Sequence, residues 1–229
     1  MSAITSFQHQ SYSFEGQDLV LSSLLRDERN GTYIDIGSNH PILENNTYYF
    51  YLNDWNGICV DPNTKFTQLY AELRPRDTFV GMAVADKSNV NVPFFCNSDH
   101  RLSTCSGEMK SHYESHPVHG CNSTSEQAVP AITLVDLINQ SGLRTVSLLC
   151  IDVEGYEANV LATLGNLSVR PRIVCVEIKG LSLCSNLQSN EVYNILIKNK
   201  YHLISKTPLD SIFVDTTNPP AWMPTSLLF

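Results

Sequence analysis

The sequence is poor in basic residues and has no long apolar run. It holds 15 lysines and arginines against 23 aspartates and glutamates, which gives a formal charge of −8. Because the few basic residues are scattered along the chain, it is poorly suited to gripping a phosphate backbone, and we expect no nucleic-acid partner. Its apolar runs, such as VSLLCIDV and RIVCVEI, are strand-sized and too short to cross a bilayer.

The cysteine pattern also gives no sign of a disulfide framework or of a CxxC motif. The seven cysteines form no CxxC pair, and Cys59, Cys150 and Cys175 lie inside apolar runs, where cysteine behaves as a small hydrophobic residue. The first residues, MSAITSFQHQSYS, have neither a basic start nor an apolar stretch, so we expect no secretory signal. The predicted location is therefore cytoplasmic, where thiols stay reduced.

What the sequence does contain is a regular alternation of strand-like and helix-like segments. The strand patterns TYIDIG, GICVD, TFVGMAV, VSLLCID and RIVCVEI alternate with segments of helical spacing, such as GQDLVLSSLLRDE and NEVYNILIKNK. The segments YHLIS and SIFVD are predicted to form a C-terminal antiparallel pair. The pattern predicts an α/β fold with a doubly wound, mostly parallel sheet, in a single domain over residues 1–229.

Four of the predicted strands end in an acidic residue. These residues are Asp35, Asp61, Asp152 and Glu177. Because parallel α/β sheets bind ligands at the carboxyl ends of their strands, the acids would collect at one edge. The turn after Asp35 contains Gly37, which lets the backbone approach a ligand closely. An acid at the end of the second strand, here Asp61, is the position that accepts hydrogen bonds from ribose hydroxyls.

The turn after the first predicted strand argues against a dinucleotide cofactor. Gly37 is followed by Ser38, Asn39 and His40, so the fingerprint G-x-G-x-x-G is absent. A cofactor without a pyrophosphate fits better, and S-adenosylmethionine is the candidate, with Asp35 facing the cationic amine of its amino-acid portion. The alternative is that backbone amides hold these acids and that no ligand binds.

Several stretches, in one order over residues 11–215, resemble the FkbM family of methyltransferases. They are SYSFEGQDLVL, YIDIGSNHP, NTYYFY, WNGICVDPN, RPRDTFVGMAVAD and LLCIDVEGYEANVLATL, of which IDVEGYE is the most specific. The resemblance implies the fold of class I S-adenosylmethionine enzymes and methylation of a hydroxyl oxygen. The variant with His-Pro after the first turn resembles a subgroup often found beside polysaccharide and natural-product genes, which implies a sugar or natural-product acceptor.

The resemblance also implies roles for individual positions. The turn after the first strand would contact the methionine part of the cofactor, Asp61 its ribose, and the end of the third strand its adenine. Asp152 would lie beside the sulfonium and the acceptor oxygen. The predicted cofactor-binding residues are Asp35, Gly37, Ser38, Asn39, Asp61, Pro62, Met82, Ala83 and Asp152.

Methyl transfer to an alcohol requires that the hydroxyl lose its proton to a base or that a metal lower its pKa. The predicted catalytic residues are Asp152, His40 and Glu177. Imidazole titrates near neutrality, although the ring of His40 could instead fix the turn by hydrogen bonding. Glu177 could complete a divalent-metal site with Asp152, because hard oxygen ligands suit magnesium. Glu154 either stabilises a helix start or takes a direct part.

Residues 96–121, CNSDHRLSTCSGEMKSHYESHPVHGC, are rich in cysteine and histidine. The composition suggests zinc, but the spacing does not, because only His112 and His116 are placed compatibly on one helix. We expect residues 96–127 to be a variable insertion that shapes the acceptor pocket and acts as a lid. The expected partner is a small-molecule or glycan acceptor.

Two other functions remain open from the sequence. The first is an NAD-type oxidoreductase or a sugar-nucleotide enzyme on a similar sheet, and the missing glycine fingerprint counts against it. The second is a catalytically inactive module that keeps the cofactor pocket. Asp152, at the end of its strand, argues weakly against that second reading.

Overall fold

The computed structural model describes residues 9–116, 123–179, 187–224 and 226, which form two sheets and seven helices. The helices are α1 (Gln17–Leu24), α2 (Tyr48–Leu52), α3 (Thr67–Leu73), α4 (Gly107–Ser115), α5 (Leu134–Ser141), α6 (Glu157–Leu161) and α7 (Glu191–Lys198). The strands are β1 (Thr32–Ile36), β2 (Asn56–Val60), β3 (Thr78–Val80), β4 (Ala83–Val84), β5 (Val90–Asn97), β6 (Ser123–Ile132), β7 (Val146–Ile151), β8 (Pro171–Glu177), β9 (Tyr201–Lys206) and β10 (Asp210–Asp215).

The large sheet has seven strands in the order β3-β2-β1-β7-β8-β10-β9. The first five are parallel, whereas β10 runs antiparallel to both β8 and β9. The central strands are mostly apolar and buried because helices cover both faces. Helices α1, α2 and α3 pack on one face, and α5, α6 and α7 on the other. The mostly parallel α/β sheet and the C-terminal antiparallel pair are confirmed.

Local sequence signals explain where some helices begin and end. Thr133 caps α5, since its Oγ1 accepts the backbone N–H of Asp136 at 3.1 Å. Gly142 ends the helix with a φ of 71°, a left-handed conformation that favours glycine. Both positions agree with the Thr-x-x-Asp capping pattern in the sequence.

A second, small sheet was not expected. It has the order β4-β6-β5, with β5 and β6 antiparallel. The segment TFVGMAV, predicted as one strand, is divided, because the chain leaves the large sheet after Val80 and enters the small sheet at Ala83. Residues 98–106, here called the strap, connect β5 to α4 and include a short helix at His100–Leu102.

A buried arginine ties the first turn of the large sheet to its surroundings. Arg74, at the end of α3, is fully buried and pairs with Asp77 at 2.6 Å. Its other nitrogens donate to Asn45 Oδ1, Tyr33 Oη and Thr47 Oγ1, each at 2.9 Å. Because these partners belong to β1, the following turn and the start of α2, one guanidinium holds three segments together.

Replacement of Arg74 by methionine should destabilise the protein by about 3–5 kcal/mol, the cost of leaving a buried charged partner unpaired. Urea unfolding followed by circular dichroism measures the change. The matched control is Arg144→Met, which removes the same charge from an exposed position. Equal stability of the two variants would contradict the organising role of Arg74.

Candidate active site

A cleft of about 490 Å³, measured to its open mouth, lies at the carboxyl ends of the central strands. One wall consists of the turns that follow β1, β2 and β7. The opposite wall comes from the small sheet and from the strap, through residues such as Phe94 and Thr104. Ligands of parallel α/β sheets commonly bind at this edge.

The turn after β1 requires a glycine. Gly37 has a φ of 77°, and a Cβ atom there would lie 1.7 Å from the backbone oxygen of Asp152. The backbone N–H of Gly37 donates to the carbonyl of Val60 at 2.8 Å. The ends of β1, β2 and β7 therefore meet closely at this position, and a side chain larger than hydrogen would separate them.

Asp61 and Asn39 face the same cleft. The Asp61 carboxylate accepts the backbone N–H groups of Asn39 at 2.9 Å and of Asn63 at 2.7 Å. Burial raises the pKa of Asp61 to about 6, against the lowering effect of these two hydrogen bonds. The Oδ1 atom of Asn39 is buried and has no hydrogen-bond partner among the described residues. The cleft thus contains one carboxylate with further acceptor capacity and one unpaired amide oxygen.

Asp35 does not line this cleft, contrary to our expectation. Its carboxylate is buried and accepts hydrogen bonds from Thr47 Oγ1 at 2.7 Å and from Asn45 Nδ2 at 3.3 Å. Because successive side chains of a strand point to opposite faces, Asp35 shares the face of Tyr33 and belongs to the polar network around Arg74. Burial nevertheless raises the pKa of Asp35 above its ordinary value.

His40 and Ser38 are also absent from the cleft wall. The Nδ1 atom of His40 accepts the backbone N–H groups of Ile42 at 3.1 Å and Leu43 at 3.0 Å. The ring therefore fixes the turn, which is the alternative that the sequence left open. Burial, and then His100, lower the pKa of His40, consistent with a neutral ring. Ser38 is buried behind the cleft, and its Oγ has no partner among the described residues.

Asp152 lies on the cleft wall at the end of β7. Solvent reaches its side chain through the cleft mouth, while protein atoms surround it on the other sides. This desolvation, and then the charges of Glu177 and Glu154, raise the pKa of Asp152 well above its ordinary value. A carboxylate with a raised pKa that remains accessible is suited to accept a proton.

Glu177 lies behind Asp152 and not on the cleft wall. Burial, followed by the charge of Glu154, raises its pKa to about 8, although Lys179 opposes the rise. Glu154 accepts hydrogen bonds from Tyr113 and from Lys179, and its backbone has a φ of 55°. Such a conformation is uncommon outside glycine and clusters at functional sites.

The predicted magnesium site does not fit this arrangement. Oxygen atoms of Asp152, Glu154 and Glu177 lie within 4.8 Å of one another, as metal ligands would. The ammonium of Lys179, however, already contacts Glu154 and lies 3.5 Å from Glu177. A divalent ion held by Asp152 and Glu177 would lie against this positive charge, so no step is assigned to a metal.

The structure brings most of the predicted cofactor residues together. Those that line the cleft are Gly37, Asn39, Asp61, Pro62, Met82, Ala83 and Asp152. Met82 and Ala83 reach it because the chain turns away from the large sheet directly after Val80. Four predicted site residues lie elsewhere, namely Asp35, Ser38, His40 and Glu177.

From the sequence, residues 96–127 were expected to shape the acceptor pocket, but no role was assigned to individual residues of the opposite wall. His100 and Arg101 of the strap line the cleft, and Arg101 binds Glu44 at 2.7 Å, which ties the strap to the turn after β1. Thr104 donates to the backbone oxygen of Glu154 at 2.7 Å. The apolar alternation of Val90, Val92 and Phe94 was a signal for β5, but it did not show that the strap crosses the cleft. The role of residues 96–127 as a lid stays a prediction, and residues 117–122 lie outside the described chain.

The fold and the cleft define an α/β protein with a cofactor site at the carboxyl edge of its parallel strands. The Methyltransferase FkbM domain matches residues 35–216, most of the chain. The chain therefore belongs to the FkbM methyltransferase family, and it is an S-adenosylmethionine-dependent methyltransferase.

Other comparisons are more distant. The crystal structure of 1,6-didemethyltoxoflavin-N1-methyltransferase from Burkholderia thailandensis, bound to 1,6-didemethyltoxoflavin and S-adenosylhomocysteine, is 9% identical to this chain. The similarity covers 86% of this chain and 76% of that one, with a TM-score of 0.45. No curated protein matches the sequence. In the described parts of the chain, none of the helices is long and apolar enough to span a membrane.

Asp61→Asn should weaken the binding of S-adenosylhomocysteine at least about tenfold, because a charge-assisted hydrogen bond to the ribose is lost. Since the pKa of Asp61 is about 6, the affinity of the unaltered protein should fall as the pH drops through this value. Calorimetric titration between pH 5 and pH 8 measures both effects. Asp54→Asn, at an exposed position, is the control. Unchanged affinity in the Asp61 variant would remove this residue from the cofactor site.

Glu177→Gln should reduce the loss of stability as the pH rises from about 4.5 to about 8. The native state keeps the Glu177 proton up to about pH 8, whereas the unfolded state releases it near 4.5. Unfolding is therefore increasingly favoured between these two values, and the variant should be spared that change. Urea unfolding at pH 5, 7 and 9 tests the prediction, with exposed Glu114→Gln as the control. A parallel decline in variant and unaltered protein would contradict it.

Proposed function

We propose that this enzyme methylates a hydroxyl oxygen of a sugar unit, a polysaccharide or a natural product. The observation that carries the proposal is the position of Asp152, an accessible carboxylate of raised pKa on the wall of the cofactor cleft. A neutral hydroxyl needs such a base, because it becomes a good nucleophile only as its proton leaves.

The cleft residues fit the cofactor. The unpaired Oδ1 of Asn39 offers an acceptor for the ammonium of the methionine part, and the Asp61 carboxylate has capacity left for ribose hydroxyls. Met82 and Ala83 supply apolar contact for a flat base. When bound, the cofactor supplies a methyl carbon on a cationic sulfur, which becomes a neutral thioether as carbon bonds to oxygen.

Asp152 performs two tasks in this proposal. Its carboxylate accepts the proton of the acceptor hydroxyl, and the same hydrogen bond orients the oxygen toward the cleft. Alignment of the reacting atoms supplies much of the rate gain in a displacement of this kind. Because desolvation and the neighbouring acids raise its pKa, Asp152 is a stronger base than an aspartate that is free in water. The proton then passes from Asp152 to solvent through the cleft mouth.

The wall opposite Asp152 is assigned to the acceptor. The strap residues His100 and Arg101 line this side, and Tyr156 of the turn after β7 lines the cleft as well. Aromatic and planar cationic groups commonly contact sugars and flat ring systems. We assign the protein to the cytoplasm, because the buried thiols of Cys59, Cys150 and Cys175 suit a reducing compartment. The acceptor is a small molecule or a glycan, and nucleic acid is not proposed as a partner.

Asp152→Asn should retain the affinity for S-adenosylhomocysteine within about threefold, yet lose methyl transfer by at least about a hundredfold, the usual contribution of a general base. The assay uses labelled S-adenosylmethionine with a panel of sugars, nucleotide-linked sugars and aromatic hydroxyl compounds. Glu157→Gln, which alters a nearby buried acid away from the cleft wall, is the comparison. Full activity of the Asp152 variant would remove Asp152 from the chemistry.

Titration of the unaltered protein with S-adenosylhomocysteine and with NAD separates the remaining alternatives. Binding of the first and not of the second is expected. NAD binding alone would contradict the cofactor assignment. Cofactor binding without turnover on any acceptor would favour an inactive module, and transfer to amine acceptors only would contradict oxygen methylation.

A further inference from the structure

The acidic edge of the site has an unusual counter-ion. Oxygen atoms of Asp152, Glu154 and Glu177 approach one another within 4.8 Å. Three carboxylates at such distances repel one another unless a cation or protons offset their charge. In many proteins a divalent cation bound by oxygen ligands provides that charge. In this protein the nearest cation among the described residues is the ammonium of Lys179.

Lys179 is held by three different parts of the fold. It follows β8 by two residues, contacts Glu154 in the turn after β7, and lies 3.5 Å from Glu177. Its Nζ also donates to Tyr113 Oη of α4 at 2.9 Å, and that hydroxyl donates to Glu154. Burial alone would lower the pKa of Lys179, but Glu154 and Glu177 outweigh that effect and raise it, so the amine stays charged.

The turn that carries Glu154 is shaped for this contact. Glu154 has a φ of 55° and Gly155 a φ of 87°. A Cβ atom on Gly155 would lie 2.2 Å from Cγ of Met109, so α4 packs directly on this backbone. The positive φ of Glu154 and the packing of α4 against the next residue together fix the backbone of this turn, and they direct the Glu154 side chain toward Lys179.

We propose that Lys179 takes the place of a divalent cation in the acceptor half of the site. Its ammonium offsets the charge of Glu154 and lies beside Glu177, so that Asp152 is left free to serve as the base. The side chain is 38% exposed, and its ammonium contacts Glu154, Tyr113 and Glu177. A fixed positive charge beside the site stabilises the negative charge that develops on the acceptor oxygen as its proton leaves.

Lys179 is thus a positioning residue, and its role at the acceptor rests on the proposed function. The replacement of a divalent cation by the Lys179 ammonium does not rest on the proposed function, because ion binding can be measured without acceptor or cofactor. If the ammonium replaces a metal ion, its removal should create a metal site from the same carboxylates.

The experiment compares Mn²⁺ binding to the unaltered protein and to Lys179→Ala by electron paramagnetic resonance of the free ion. The unaltered protein should bind no stoichiometric Mn²⁺. Lys179→Ala should bind one ion at least about tenfold more tightly, because three carboxylate ligands and an open space become available. Two further variants should not show this gain in Mn²⁺ affinity. They are Lys179→Met, which fills the space with an apolar chain, and the double variant Lys179→Ala with Glu154→Gln.

Controls separate this result from general effects. Lys198→Ala removes the same charge from an exposed position in α7 and should not bind Mn²⁺. If Lys179→Ala does not fold, Lys179→Gln carries the same comparison. Two results would overturn the proposal. The first is stoichiometric Mn²⁺ binding to the unaltered protein that Glu154→Gln abolishes. The second is the absence of Mn²⁺ binding in Lys179→Ala and Lys179→Gln when these variants fold.

A second readout concerns the reaction. Lys179→Ala should lose methyl transfer, and Mn²⁺ or Mg²⁺ should restore part of it, whereas Lys179→Met should not respond. EDTA should leave the unaltered enzyme unchanged. Failure of S-adenosylhomocysteine to bind any variant would count against the methyltransferase assignment, while a correct pattern of Mn²⁺ binding would still support the replacement of a divalent cation by Lys179.

Discussion

The site depends on one buried guanidinium. Arg74 pairs with Asp77 at 2.6 Å, and its other N–H groups donate to Asn45, Tyr33, Thr47 and the carbonyl of Pro41. A planar, permanently charged group with five donors in a fixed arrangement is well suited to bind acceptors from separate segments. The turn after β1 is therefore rigid before any ligand arrives. That rigidity preserves the short distances between the cofactor residues, since binding need not order them.

The two ends of the site use charge differently. Around the cofactor, Asp61 and Asn39 keep acceptor capacity available while backbone N–H groups hold the carboxylate. At the acidic edge, the charges of Glu177 and Glu154 help to raise the pKa of Asp152, while Lys179 opposes the rise in the pKa of Glu177. The first arrangement favours binding of a cationic, hydroxyl-rich ligand. In the proposed function, the second supplies a base and a fixed positive charge for the transfer of a methyl group to oxygen.

Sequence patterns predicted the large sheet well and the small sheet poorly. The strands β1, β2, β7 and β8 consist mainly of apolar residues, because burial on both faces leaves little choice of residue. In contrast, β5 and β6 contain Pro93 and Pro130 and carry exposed polar residues, which are weak strand signals. The long segment between them was interpreted as an insertion. Its strap, with His100 and Arg101, became part of the cleft only through contacts across the fold.

The sequence by itself determined the strand ends, the glycine of the first turn and the acids that follow each strand, because these depend on local backbone geometry. Tertiary structure decided which acids serve the site. Asp35 and Asp61 both end a strand, yet Asp35 is turned to the opposite face and bonded to Thr47. Glu177 and Asp152 are likewise alike in sequence, but only Asp152 opens to the cleft. The direction of a side chain and its partners depend on packing between distant segments, which no local pattern encodes.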